Sequence, residues 1–143
     1  MLWSVIDHVT VVVHDARQPM SEEWTAYVDH FRARVDGPHS VLVYTLGGGP
    51  SGMQRAELLE VMAHSERPTP VFIVSSSAVV RGIVTAMNWF LRADRRPKTY
   101  PVADLARAFT DMQLEPAACK RIRAAIDAHL ARLGGPQPVQ RAG

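Results

Sequence analysis

With 143 residues, 47% of them hydrophobic and 21% charged, the chain is sized and balanced for one globular domain that builds its own core. The net charge of +2 conceals fourteen arginines against two lysines, and a pI near 9.0 permits an acidic partner without requiring one. The single cysteine, Cys119, excludes an internal disulfide, and no apolar run nears the ~20 residues that cross a bilayer. Met1 to His8 lack a basic stretch followed by a long apolar one, so a soluble, cytoplasmic protein is expected.

Val9-Thr10-Val11-Val12-Val13 is β-branched throughout and predicts a first strand buried on both faces, closed by His14-Asp15. Ser21 as cap, with Glu22 and Glu23 in the first turn, opens a helix. Its Trp24, Tyr27, Val28, Phe31 and Val35 keep the spacing of one buried stripe, and Asp36-Gly37-Pro38 stops it. Val41 to Thr45 is the second strand, Leu46 to Gly52 a glycine-rich turn, and Met53 to Ala63 a helix with Leu58, Leu59 and Met62 inward. After the rigid Arg67-Pro68-Thr69-Pro70 connector, Val71 to Val74 is the third strand.

Ser75, Ser76 and Ser77 offer caps for a helix over Ala78 to Leu91, whose inward stripe is Val80, Ile83, Val84, Met87 and Leu91. Lys98 to Tyr100, bracketed by Pro97 and Pro101, reads as a short edge strand. Pro101 suits the first turn of a helix that carries Leu105, Phe109 and Met112 inward. A last helix covers residues 116–133, and residues 136–143 read as a disordered tail. Residues 1–135 therefore make a single α/β domain: a four-stranded, mainly parallel or mixed sheet, about five helices and right-handed crossovers.

The turn after the second strand is the first candidate site. It sets Ser51 at a helix N-terminus, where free N–H groups and the helix dipole favour a phosphate on a ligand or on the serine. Gly47 and Gly52 have P-loop spacing, but Met53 and Gln54 replace the lysine and the magnesium-binding hydroxyl, which argues against nucleotide hydrolysis. The plain alternative makes Ser51 a helix cap. His14 and Asp15 end the first strand, so with Ser51 and Ser76 they belong to the sheet edge where α/β proteins gather ligands. A Gly-x-Ser-x-Gly elbow is missing, the histidines lack zinc-ligand spacing, and no cofactor is implied. Cys119 reads as a core residue on the apolar stripe of the last helix.

Two surfaces are candidates for partner contact. The basic cluster Arg92, Arg95, Arg96 and Lys98 is one, suited to an acidic protein, anionic lipid or nucleic acid but read more simply as a solvated loop without a nucleic-acid motif. The other is the second apolar face of the helix from Ala78, made by Val79, Ala86 and Trp89, which the last helix is expected to cover.

The order of elements from Val9 to Met112 resembles the STAS domains, the anti-sigma-factor-antagonist (SpoIIAA-like) family. Gly49-Pro50-Ser51-Gly52 stands where that family carries Asp-Ser-Ser/Thr-Gly, and Asp104 to Phe109 is similar to its closing helix. The resemblance implies an SpoIIAA-like sandwich and a phosphoacceptor role for Ser51, with Gly52 as the motif glycine. Gly49 and Pro50 replace the family's aspartate and first serine, as suits the related STAS/Sec14-like group, which keeps the fold without the strict motif.

The leading expectation is a non-enzymatic bacterial signalling module. Its partner would be a kinase-like or anti-sigma-like protein, or a second copy, bound at the loop and helix around Gly49, Ser51, Gly52 and Met53. The alternative is a binding protein for a small ligand or phosphoester, possibly an enzyme, using His14, Asp15 and Ser51. A third reading, lipid binding between the sheet and the Ala78 to Leu91 helix, requires a deep apolar cavity there.

Overall fold

The computed structural model describes residues 1–134; the tail expected over residues 136–143 lies outside them. Strand β2 (Val9–His14) is buried at every position, which is possible only inside a sheet with both faces covered. Its neighbours are β1 (Leu2–Ile6), antiparallel, and β3 (Ser40–Thr45), parallel. Beyond β3 come β4 (Val71–Ser75) and β5 (Lys98–Pro101), both parallel. The sheet is thus five-stranded and mixed, not four-stranded. β1 escapes sequence reading because Asp7-His8 joins it to β2 without a glycine; Asp7 itself takes the left-handed conformation, φ 54°.

The helices are α1 (Ser21–Arg32), α2 (Gly52–Ala63), α3 (Ala78–Asn88), α4 (Leu105–Asp111) and α5 (Pro116–Gly134). Met20, not Ser21, occupies the N-cap position of α1, and its N–H is satisfied by the Glu23 carboxylate at 3.2 Å. α3 stops three residues short of Leu91. Pro101 ends β5 instead of opening a helix, and a short 3-10 turn, Val102–Asp104, leads into α4.

Strand order is β1-β2-β3-β4-β5. When successive parallel strands are added on one side, crossovers of one hand place all their helices on one face. Two cores follow from this. Val9, Val11, Val13, Leu42 and Tyr44 point towards Phe109 of α4 and Ile122 and Ile126 of α5. Val12, Val41 and Val43 point the other way, towards Trp24, Tyr27 and Phe31 of α1 and Met62 of α2. The last helix therefore packs over β1 and β2 on the face opposite α3 and does not cover Val79, Ala86 or Trp89. Cys119 packs against the first core.

An apolar cavity at the carboxyl edge of the sheet

The carboxyl ends of β2, β3 and β4 deliver His14, Thr45 and Ser75, all buried, to one edge. Turn Leu46 to Pro50 folds back onto this edge. Gly48 donates its N–H to the Asp15 carbonyl at 3.1 Å, while its own carbonyl accepts from the Thr45 hydroxyl at 2.5 Å. Gly47 takes φ +116° to enter the turn and donates to Thr45 Oγ1 at 3.1 Å. Only glycine makes both steps cheaply.

Ser51 is half-buried and caps α2. Its Oγ accepts the Gln54 N–H at 3.2 Å, Gln54 Oε1 accepts the Ser51 N–H at 2.8 Å, and Gln54 Nε2 reaches the Pro19 carbonyl at 3.2 Å. This reciprocal box satisfies donors that the helix start leaves free. Ser77 caps α3 one way only, its Oγ accepting the Val80 N–H at 3.3 Å, whereas Ser76 is exposed. Gly52 and Met53 begin α2 on the surface, and Gly49 is half-buried in the turn before it.

His14, Asp15 and Ser51 share no hydrogen bond. Asp15 is bound by Arg17, through the backbone N–H at 3.0 Å and Nε at 2.7 Å. Burial pushes its carboxyl pKa up, but these hydrogen bonds outweigh burial and hold it below the usual carboxylate range. His14 stays neutral: burial, followed by the nearby amino terminus, lowers its pKa from 6.5 to about 4 against the pull of Asp15 and Glu23. Its Nδ1 is buried without a hydrogen-bond partner among the described residues.

The His14 side chain lies on the α1–α3 side of the sheet. His14 has the same parity as Val12 and borders a cavity of about 330 Å³ between β2–β4 and the three helices. The sheet contributes Val12, Val43 and Ile73, α2 contributes Leu58 and Leu59, and α3 contributes Val80, Val84 and Met87. At the Gly47–Pro50 end stands Arg55, whose Nη1 donates to the Pro50 carbonyl at 2.8 Å. It pairs with no carboxylate among the described residues.

No family model matches the chain, and neither the curated proteins nor the solved structures provide a match.

Of the expected site residues, the cavity brings together His14 and Gly49 and leaves Asp15, Ser51, Gly52, Met53 and Ser76 outside its lining. Sequence reading missed Arg55, although it is the only cation of α2 in an otherwise apolar and acidic helix. Arg95 is not a free surface cation. It donates to the carbonyls of Met62 and, at 2.9 Å, Ser65, where α2 ends and its last carbonyls have no i+4 helical donor. Arg96 is exposed, donating to the Leu91 carbonyl at 3.1 Å.

Proposed function

We propose that the protein binds a small apolar molecule with one acidic end, held between the sheet and helices α2 and α3. The supporting observation is the cavity of about 330 Å³, apolar along its walls and bordered at one end by neutral His14 and by Arg55. Small-molecule sites start at roughly this size and combine apolar walls with a few polar groups that set orientation. Apolar walls would hold the hydrocarbon part and Arg55 would supply positive charge. Neutral His14 would donate one N–H to a carboxylate, which raises its pKa, so an acid would bind with proton uptake at mildly acidic pH.

Decanoate and decanol, titrated against a fluorescent apolar probe, test both parts of the reading. Filling the cavity by Val84→Trp should weaken both ligands by about tenfold or more, equivalent to about 1.4 kcal/mol. Arg55→Ala should weaken decanoate alone. A folded Val84→Trp protein with unchanged affinity for both would remove the cavity as the site.

A second reading, the partner-binding module, draws support from the order of elements around Ser51 and from Met53, 86% exposed beside it. Ser51→Ala should cost about 1 kcal/mol in urea unfolding through loss of the cap, whereas Ser51→Asp caps equally well. If Ser51 is a switch, the two variants differ in the partners they retain as well; identical partners would leave the serine as a cap alone.

A further inference from the structure

The outer side of α3 also carries apolar groups. Val79 is 71% exposed, and the turn that follows the helix presents Trp89 and Phe90 at 77% and 89% exposure. Neither aromatic ring belongs to the two cores. The surroundings are basic: Arg92 and Arg96 are exposed, and Asp94 is the only acid from Arg67 through Tyr100. Asp94 lies 3.4 Å from Arg92, so Arg96 has no carboxylate partner among the described residues.

Two kinds of surface would cover such a face, and charge separates them. A second copy meeting the first through α3 would set Arg92 and Arg96 against the same two cations, offset only by Asp94 on each side. An anionic bilayer surface meets both needs at once: its interface accommodates tryptophan and phenylalanine, and its headgroups attract the flanking cations. We propose that α3 and the segment through Arg96 dock this protein peripherally on anionic phospholipid, with Trp89 and Phe90 at the boundary between headgroups and acyl chains. Docking is peripheral because no helix among the described residues is long and apolar enough to cross a membrane. The inner side of the same helix walls the cavity, so a docked α3 separates the bilayer from the ligand site by one helix.

The test is co-sedimentation of the full chain with vesicles of phosphatidylcholine alone and of an equal mixture with phosphatidylglycerol. The mixed vesicles should bind at least about tenfold better, and added salt should abolish the difference. Trp89→Ala with Phe90→Ala should reduce binding by about tenfold or more. Both side chains are exposed, so thermal unfolding of this variant should match that of the parent. Equal binding to both vesicle types, or full binding by the double variant, would overturn the proposal. So would a dimer in sedimentation equilibrium that the double variant loses, which would assign the face to a second copy. Failure here leaves the vesicle-free affinity for decanoate untouched, so the two readings fail separately.

Discussion

Gly48→Ala should destabilise the fold by about 3 kcal/mol, while Gly49→Ala, one residue on, should not destabilise it. A Cβ on Gly48 would lie 2.3 Å from the Asp15 carbonyl oxygen, 2.4 Å from that of Arg17 and 2.7 Å from the Ala16 carbonyl carbon. All three are backbone atoms, so no side chain can rotate away and the two loops must part. Parting breaks the Gly48 N–H bond to Asp15 and deprives the buried Thr45 hydroxyl of its acceptor. Overpacking costs about 1–3 kcal/mol and an unpaired buried hydroxyl about as much again. At Gly49 a Cβ meets nothing within 4 Å and φ is not positive, so alanine fits and restricts only the unfolded chain. Urea midpoints of the two variants decide the matter; equal midpoints would mean that the two loops are not pressed together at Gly48. The same displacement opens the polar end of the cavity, so Gly48→Ala should also weaken decanoate.

Acid should destabilise the protein through His14 on the order of 3 kcal/mol as pH falls from 6.5 to about 4. In the unfolded chain the imidazole takes up a proton below 6.5; in the fold, burial delays this to about 4. Between those values the unfolded state holds more protons, so stability declines with falling pH and the full loss is reached only below the lower value. Above 6.5 both states are neutral and His14 has no effect on the slope. His30, His39 and His129 are lowered by burial as well and act in the same direction. Urea unfolding across this range should therefore give a steeper decline for the parent than for His14→Leu. Parallel curves would show that His14 is not shielded. Saturating decanoate should shrink the His14 contribution, because a carboxylate at the imidazole restores its affinity for a proton.

Much of this architecture is legible along the chain because its causes are local. The valine run of β2 calls for burial on both faces, Ser51 and Gln54 form a cap at the spacing caps require, and the stripe of α1 repeats every helical turn. His14 facing the helices is also readable, since it shares the parity of Val12. Arg95 misleads because its meaning depends on carbonyls roughly thirty residues earlier. β1 is faint because its link to β2 relies on an aspartate tolerating φ 54° where glycine would have announced the turn.

Element types, capping residues and alternating strand faces are set by interactions between residues a few positions apart, and the amino-acid order alone determines them. Which face each helix takes is a different kind of question. It depends on strands being laid down in the sequence β1 to β5 and on α5 returning to β1 and β2, so that among the described residues α3 has no helix over its outer side. The cavity and the bare Trp89–Phe90 surface both follow from that arrangement. Each is made by side chains far apart in the chain, whose packing no local pattern encodes.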